Sequence, residues 1–183
     1  MANYPKEYEK TLTLGDGTTV LFRPELPTDT EMLWGMFSTL SQESLHFLVR
    51  PFPRERIEHW TSNINYQKAL PIVAVIQQTQ NPRIVATASL EFRDAPAEKH
   101  KAEFGITVHD TYQNKGIGTA LTKHMLTIAR KKRLRKITLK VLTQNKKAID
   151  IYTKCGFKTE AKLHEENFIN RKYYDDYIMS IFL

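Results

Sequence analysis

The sequence contains one cysteine, Cys155, among its 183 residues. A single cysteine cannot form an internal disulfide, which excludes a fold held together by disulfide bonds and favours a reducing compartment. The sequence also lacks an apolar run of about 20 residues that could cross a bilayer, and its first residues lack the charged and then apolar pattern of a secretory signal. We therefore expect a cytoplasmic protein without a membrane partner.

Metal-binding patterns are also lacking. The six histidines show no H-x-x-x-H spacing, and a lone cysteine offers no thiolate cluster, so we predict no metal. The chain shows no internal repeat, low-complexity stretch or linker, and its length suits one domain with a sizeable core. We predict a single domain over residues 1–183, with its core over about 18–183.

Acidic residues are fewer than basic ones, at 20 against 27, which gives a formal net charge of +7. A basic run occupies residues 130–136. Such a run can bind nucleic acid, can form the solvated C-terminal end of a helix, or can favour an anionic cofactor. The absence of an aromatic-rich stacking surface beside the run disfavours nucleic acid as a partner.

A glycine-containing loop follows one apolar strand pattern and precedes a helical pattern. The strand pattern covers residues 104–108, the loop runs from Gln113 to Gly118, and the helical pattern covers 119–132. Glycine lets the backbone approach an anion because it has no Cβ. The first amides of a helix have no intrahelical partner, and the helix dipole adds about half a positive charge there. This arrangement predicts a site that can hold a pyrophosphate.

The loop fits neither of two familiar phosphate-binding motifs. A dinucleotide site needs a third glycine and, about 20 residues later, an acid that binds the ribose. This chain has Leu121 at the glycine position and Lys140, not an acid, in the next strand pattern. A P-loop needs lysine and then serine or threonine after its last glycine, whereas Thr119 and Ala120 follow Gly118. Both nucleotide motifs are therefore excluded.

A second motif lies downstream and reads as a short amphipathic helix. Asn145 is a favourable N-cap, and Gly156 is a favourable residue just after the C-terminus. One face of the helix, at i, i+3, i+4 and i+7 spacing, consists of Ala148, Ile151, Tyr152 and Cys155. Packing on a sheet explains the aliphatic residues of this face, but it requires neither the asparagine nor the tyrosine.

Together the two motifs resemble those of the GNAT superfamily of N-acetyltransferases, which transfer an acetyl group from acetyl-CoA to an amine. The resemblance rests on V-x-D-x-Y-Q-x-x-G-x-G-T-A-L over residues 108–121 and N-x-x-A-x-x-I-Y-x-x-C-G-F over residues 145–157, with a strand pattern between them. It implies an α/β (α+β) GNAT fold, with a mixed, mostly antiparallel sheet of about seven strands, a splayed central parallel pair and flanking helices.

The resemblance also implies which residues bind acetyl-CoA. Backbone groups of the strand before the loop would pair with the amides of the pantetheine arm. The loop and helix start would hold the pyrophosphate, and an asparagine side chain would hold a further pantetheine amide. In that order, these residues are Ile106 and Val108; Gln113, Asn114, Lys115, Gly116, Ile117, Gly118 and Thr119; and Asn145.

Two side chains are implied as catalytic. Glu103, on the strand that leads to the loop, would be the general base for the amine, directly or through a water, with Glu91 on the preceding strand as a reserve. Tyr152 would be the general acid that protonates the departing CoA thiolate. Cys155 ends a helix, where the dipole disfavours a thiolate. We therefore expect a structural cysteine and direct transfer in a ternary complex.

The acceptor amine is less well defined by the sequence. Residues 14–29 and 40–44 resemble protein-lysine acetyltransferase domains, although residues 46–48 depart from their pattern. Residues 165–176 instead resemble members that act on small molecules or protein N-termini. The acidic pairs in that segment could attract a cationic amine or could balance the charge of a basic protein.

We expect a protein lysine or protein N-terminus as the acceptor, with a small-molecule amine (a polyamine or an amino acid) as the alternative. A non-catalytic acetyl-CoA sensor or a nucleic-acid-binding module is the alternative of another class. A homodimer also stays open at this point.

Local patterns predict the order of the elements. Thr28 with Glu31 three residues later predicts a capping box at the start of the first helix. A turn over 79–82 and a polar loop before residue 173 would each join two strands. The predicted elements are a hairpin over 10–23; helices over 28–40, 41–49 and 53–63; strands over 71–77, 84–92 and 102–108; a helix over 116–133; a strand over 136–142; a helix over 145–155; and strands over 158–164 and 173–182.

Overall fold

The computed structural model describes residues 4–48, 51–77 and 81–183. Within these residues, eight strands form one sheet and five α-helices pack on its two faces. The strands are β1 (Lys10–Thr13), β2 (Thr19–Pro24), β3 (Ala69–Ile76), β4 (Arg83–Phe92), β5 (Lys101–Val108), β6 (Lys136–Leu142), β7 (Lys158–Ile169) and β8 (Lys172–Phe182). The helices are α1 (Thr30–Phe37), α2 (Gln42–Phe47), α3 (Arg54–Ser62), α4 (Ile117–Lys131) and α5 (Lys146–Lys154).

The strand order in the sheet is β1-β2-β3-β4-β5-β6-β8-β7. Neighbouring strands are antiparallel except for β5 and β6, which α4 connects and which are parallel. The parallel pairing stops after three residue pairs: Lys101 with Lys136, Ala102 with Ile137, and Glu103 with Thr138. Beyond these pairs the two strands diverge and leave an opening in the middle of the sheet. The mixed sheet with a splayed parallel pair is thereby confirmed, with eight strands rather than about seven.

Hydrophobic residues at helical spacing explain how the helices pack on the sheet. In α4, Leu121, Met125 and Ile128 are almost completely buried in the larger core cluster, which α5 also joins. On the opposite face, α1 and α3 bury Leu33 and Ile57 in a second cluster with residues of β3. The opening between β5 and β6 therefore connects the face covered by α4 and α5 with the face covered by α1 and α3.

The capping box predicted at Thr28 is wrong. The chain first makes a 3-10 turn over Pro27–Asp29, and α1 begins at Thr30. The carboxylate of Asp29 accepts the N–H of Leu26 at 2.8 Å and forms an ion pair with Arg23 at 2.7 Å. Asp29 thus binds the backbone N–H at the start of this turn, whereas the sequence pattern predicted that Thr28 would do so.

Glu25 is buried near this ion pair, and neither of its carboxylate oxygens has a hydrogen-bond partner among the described residues. Burial, reinforced by the charge of Asp29, raises the pKa of Glu25 to about 8. The carboxyl group is therefore mostly protonated at pH 7, which avoids the larger cost of burying an unpaired charge.

The polar loop predicted between the last two strands is wrong. β7 continues to Ile169, and a turn at Asn170 and Arg171 leads into β8. Both turn residues have a positive φ, 49° and 62°, as the tight hairpin turns that match strand twist require. Most residues of this part of β7 are exposed, so its polar composition reflects a solvated strand rather than a loop.

Most other predicted elements agree with the structure to within a few residues. The predicted turn over 79–82 and the end of the predicted helix at 49 fall partly outside the described residues. None of the helices in the described ranges is long and apolar enough to cross a membrane.

Candidate active site

A cavity of about 650 Å³ lies at the opening between β5 and β6. Two groups of residues form its wall. We call the lining residues within 104–152 the cofactor side and those within 37–91 the acceptor side. The first group comes from β5, β6, α4, α5 and their loops, and the second comes from α1 to α3, β3 and β4.

The glycine loop adopts the conformation that an anion site needs. Asn114 and Gly116 have positive φ values of 61° and 85°, and Gly116 is the N-cap of α4. The N–H of Ala120 donates to the Gly116 carbonyl at 3.0 Å. This is the first i to i−4 hydrogen bond of the helix. The backbone N–H groups before it therefore have no partner within the helix and can donate to a ligand. These amides belong to Ile117, Gly118 and Thr119.

Gly118 is the loop glycine on the cavity wall. A Cβ built on it would lie 3.5 Å from Ile151 Cδ1 and 3.6 Å from Val108 Cγ2, which are ordinary contact distances. The protein alone would thus tolerate a small side chain at this position. The missing side chain instead leaves space for a ligand beside the positive end of the helix dipole.

The predicted cofactor residues divide into two sets. Lys115 lies beside the loop, with Nζ 3.8 Å from Asp16 Oδ2 and 5.4 Å from the centroid of the Tyr112 ring. The side chain of Ile117 is fully buried in the core, so only its backbone can face a ligand. The residues that line the cavity are Ile106, Val108, Gln113, Asn114, Gly118 and Asn145, and those outside the wall are Lys115, Gly116, Ile117 and Thr119.

Asp110 links the two sides of the cavity through hydrogen bonds. Its carboxylate accepts the N–H of Ser41 at 2.8 Å and the hydroxyls of Ser41 and Ser44, both at 2.7 Å. Gln113 Nε2 donates to Ser44 Oγ at 3.3 Å and to the Val108 carbonyl at 3.1 Å. Burial opposes ionisation of Asp110, but the hydrogen bonds from Ser44 and Ser41 outweigh it and lower its pKa to about 2. We call Ser41, Ser44, Asp110 and Gln113 the Asp110 network.

Helix α2 is connected to this network at its N-terminus and packs Leu45 against the second hydrophobic cluster. The helix is six residues long, and none of these residues is buried. Ser41 caps it by accepting the N–H of Ser44 at 3.1 Å, and His46 makes an edge contact with the ring of Tyr174 in β8. The sequence analysis missed the role of Asp110, whose only signal was its place inside the first motif.

Tyr152 is buried and lines the cavity. Its ring packs edge-on against Phe104, with 6.2 Å between the centroids, and lies 5.9 Å from the ring of Phe157. Burial raises the pKa of Tyr152 well above its ordinary value. The structure therefore places a phenol that keeps its proton at neutral pH on the wall of the cavity.

Two glutamates lie opposite each other on neighbouring strands. Glu103 of β5 and Glu91 of β4 are directly paired, so their side chains share one face of the sheet. Glu103 belongs to the last pair before β5 and β6 diverge, and its Oε2 accepts a hydrogen bond from Arg93 at 2.6 Å. Glu91 lines the cavity, whereas Glu103 lies outside the wall, at the apex of the opening.

Cys155 lies partly exposed at the C-cap of α5. Burial raises the pKa of its thiol, which lowers the fraction of the nucleophilic thiolate. This environment agrees with the structural role expected from the sequence.

One acid of each pair at 165–166 and 175–176 already has a basic partner. Glu166 accepts a hydrogen bond from Lys140 Nζ at 2.6 Å. Asp175 forms an ion pair with Lys162 at 2.7 Å, and Asp176 is buried, which raises its pKa. Of the two interpretations of these pairs, charge balance fits the contacts better than attraction of a cationic amine.

An aromatic cluster forms part of the acceptor side. Phe37 stacks on Phe52 with 4.4 Å between the ring centroids, and Trp60 lies edge-on to Phe37 at 6.0 Å. The guanidinium carbon of Arg56 lies 4.6 Å from the centroid of Phe52, and its Nη1 donates to the Pro51 carbonyl at 3.0 Å. The sequence analysis assigned no function to these residues, because they come from distant segments that only the fold brings together.

A sequence model of the GNAT acetyltransferase family matches residues 34–157, which is more than half of the chain. The chain belongs to the GNAT acetyltransferase family. This match confirms the family that the two motifs predicted. No cluster of three or more potential metal-binding side chains occurs in the described ranges.

Known proteins similar to this GNAT chain include both enzymes and solved structures. Over 98 residues it is 31% identical to the L-amino acid N-acetyltransferase AaaT of Escherichia coli strain K12, a match that covers 53% of this chain and 60% of AaaT. The solved structure of the GNAT domain of S. lividans PAT has a TM-score of 0.78 at 24% identity. The match covers 99% of this chain and 100% of the PAT domain chain.

A second solved structure similar to this GNAT chain, spermidine N-acetyltransferase from Vibrio cholerae in complex with CoA and spermine, has a TM-score of 0.75 at 23% identity. The match covers 89% of this chain and 95% of the spermidine N-acetyltransferase chain. At these identities the two structures confirm the fold alone, and the chain matches less than two thirds of the length of AaaT.

Proposed function

We propose that this GNAT enzyme acetylates the primary amine of a small molecule. The observation that carries the proposal is that the glycine loop, Tyr152 and the diverging strands β5 and β6 all border one cavity. A protein lysine or N-terminus, expected first from the N-terminal half of the sequence, has less support, since the acceptor named for AaaT is an amino acid. The cytoplasmic location and a homodimer stay predictions.

In this proposal, acetyl-CoA binds along the cofactor side. The first-turn amides of α4 and the space beside Gly118 receive the pyrophosphate. The pantetheine arm enters the opening between β5 and β6, where the backbone of Ile106 is available after the pairing with β6 ends. The Asn145 side chain caps α5 through its Oδ1, at 3.1 Å from the Ala148 nitrogen, which leaves its amide hydrogens to bind the arm.

The chemistry begins with deprotonation of the acceptor. An alkylamine with a pKa of about 10.4 costs about 4.6 kcal/mol to deprotonate at pH 7. Glu103 accepts this proton through a water, because it lies at the apex of the opening and not on the wall. The amine nitrogen then bonds to the acetyl carbonyl carbon.

The carbon–sulfur bond breaks next, and Tyr152 donates its proton to the CoA thiolate. The proton that remains on nitrogen passes to water, and solvent reprotonates Tyr152. Transfer is direct, since the raised thiol pKa of Cys155 argues against an acetyl-cysteine intermediate.

Measurement of acetyl transfer from acetyl-CoA to a panel of acceptors tests the proposal. The panel contains free amino acids, a polyamine, a peptide N-terminus and a lysine peptide, with CoA release and product mass as readouts. We expect the best small amine to exceed the lysine peptide in kcat/KM by at least about tenfold. A faster lysine peptide would replace the proposed acceptor class, and calorimetric acetyl-CoA binding without transfer to any amine would instead support the sensor.

A further inference from the structure

We infer that the acceptor carries one primary amine and one anionic group, which bind at Glu91 and Arg56 respectively, with an apolar or aromatic body between them. This inference rests on the proposed function and specifies its substrate class. It distinguishes an amino-acid-like acceptor from a polyamine, which carries several positive charges and no negative one.

Glu91 supplies a carboxylate that the protein leaves available. It lies on the cavity wall, exposed, on the sheet face that carries the apex residue Glu103. Among the ion pairs and hydrogen bonds of residues 4–48, 51–77 and 81–183, none involves its side chain, whereas Glu103 is bonded to Arg93. A protonated amine that approaches the apex therefore meets one uncompensated negative charge at Glu91.

The other acidic groups on the wall are already engaged. Asp110 holds three hydrogen bonds within the Asp110 network. Glu43 lies 4.0 Å from Lys147, and Lys140 on the same wall is bonded to Glu166. In the described part of the chain, the charged lining residues are three acids, Glu43, Glu91 and Asp110, and three bases, Arg56, Lys140 and Lys147. This balance offers a polycation no net attraction.

Arg56 supplies the cationic counterpart on the acceptor side. Contacts to the Pro51 carbonyl and the Phe52 ring fix its guanidinium group. Five N–H donors belong to this group, so one bond to a carbonyl leaves donors for a carboxylate. A guanidinium that is already positioned loses less side-chain entropy when it binds an anion.

The fold places Arg56 near the start of α3 and the strand residue Glu91 near the end of the same helix. Arg56, Trp60 and Asn63 recur at i, i+4 and i+7 spacing along α3, and all three line the cavity. The N–H of Ala69, the residue paired with Glu91, donates to the Asn65 carbonyl just beyond the end of α3. Two turns of helix, about 10 Å of rise, thus separate Arg56 from the Glu91 end.

The aromatic cluster lies along the same span. Trp60 lies on the cavity wall between Arg56 and Asn63 along the helix, and its ring packs against Phe37 and Phe52. An acceptor that buries an apolar body there gains affinity that a hydrated polyamine chain does not gain. 4-(2-Aminoethyl)benzoic acid carries all three groups in the required order, with the amine and the carboxylate at opposite ends of one aromatic ring.

The test compares 4-(2-aminoethyl)benzoic acid, its carboxamide and spermidine as acceptors for wild type and for Arg56→Met. Methionine keeps an apolar stem against Phe52 but removes the charge. We expect wild type to prefer the acid over the amide and spermidine. Arg56→Met should lower kcat/KM for the acid by about 10- to 100-fold, the loss expected for a hydrogen bond to a charged group, and should change kcat/KM for the amide by less than threefold.

Arg54→Met is the matched control, because Arg54 lies on the same helix but outside the cavity wall, paired with Glu31 and Glu58. It should leave all three acceptors unchanged, and Arg56→Lys should restore part of the preference for the acid. An equal loss for acid and amide in Arg56→Met, or a wild-type preference for spermidine, would overturn the inference while transfer itself continues. Absence of transfer to every amine would overturn the proposed function and the inference with it.

Discussion

The cofactor side and the acceptor side of the cavity are built in different ways. The cofactor side comes from two short continuous segments, and its expected ligand contacts are mostly backbone groups at a strand edge and a helix start. The acceptor side combines five elements, and its contacts come from side chains. Backbone binding sites leave glycines and cap residues at fixed spacing in a sequence, whereas a side-chain site depends on how distant segments pack. The anion site of the cofactor side could therefore be predicted from the sequence, and the acceptor site could not.

The largest expected effect comes from Gly118→Asp on the cofactor side. The added carboxylate would occupy the space beside the first-turn amides and repel a pyrophosphate. Acetyl-CoA affinity measured by calorimetry should fall by at least about 100-fold. Gly35→Asp is the control, because Gly35 is also helical, and a Cβ there meets nothing within 4 Å. Wild-type affinity in Gly118→Asp would show that the pyrophosphate binds elsewhere.

A smaller effect, confined to the chemical step, is expected for Tyr152→Phe. The substitution removes the proposed proton donor but keeps the ring contacts with Phe104 and Phe157. We expect kcat to fall by about 10²- to 10⁴-fold, the typical contribution of general acid–base catalysis, with an acetyl-CoA dissociation constant within threefold of wild type. The reverse pattern, weak binding with a normal kcat, would make Tyr152 a packing residue of the cofactor side.

The two paired glutamates separate catalysis from acceptor binding. Glu103→Gln should lower kcat at pH 7, with partial recovery at high pH, where more of the amine is already deprotonated. Glu91→Gln should mainly raise KM for the amine by about 5- to 50-fold. A pH–rate profile of both variants checks the assignment, and each variant is the control for the other. If the pH-dependent loss of kcat instead followed Glu91, the two roles would be exchanged.

The smallest expected effect tests the link between the two sides. Asp110→Ala removes the acceptor for Ser41 and Ser44, so KM for the amine should rise by about three- to tenfold. Ser41→Ala with Ser44→Ala should reproduce the change, and Asp94→Ala, an exposed carboxylate outside the cavity wall, should not. An unchanged KM would mean that α2 keeps its position without the network.

Unfolding measurements at low pH provide a second test of the Asp110 network. The pKa of Asp110 is lowered to about 2 in the folded protein, against about 3.9 for an unperturbed aspartate. The contribution of ionised Asp110 to the free energy of unfolding is thus fully present above about pH 4 and is lost as the pH falls toward 2. Urea unfolding of wild type and Asp110→Ala should therefore differ by a constant amount from pH 5 to pH 8 and converge in acid.

Particular residues show why the sequence predicted some features and not others. Gly116 has a positive φ that favours glycine, and Asn145 caps its own helix, so each could be predicted from its neighbours. The partner of Asp110, in contrast, lies 69 residues away at Ser41, and no local pattern encodes that contact. The order of the elements was predicted well because hydrophobic periodicity is also local, whereas the splayed parallel pair was implied by the resemblance of the two motifs. The prediction of the elements was wrong where Asp29 took the place of Thr28 and where an exposed strand resembled a loop.

Buried Glu25 makes folding of this domain a proton-binding event. With a folded-state pKa of about 8 and an unfolded value of about 4.3, the native chain retains a proton at neutral pH that the unfolded chain releases. Its stability contribution is therefore complete below about pH 4 and declines as the pH rises toward 8. Alkaline conditions, which would favour amine acetylation, thus weaken the region that anchors α1.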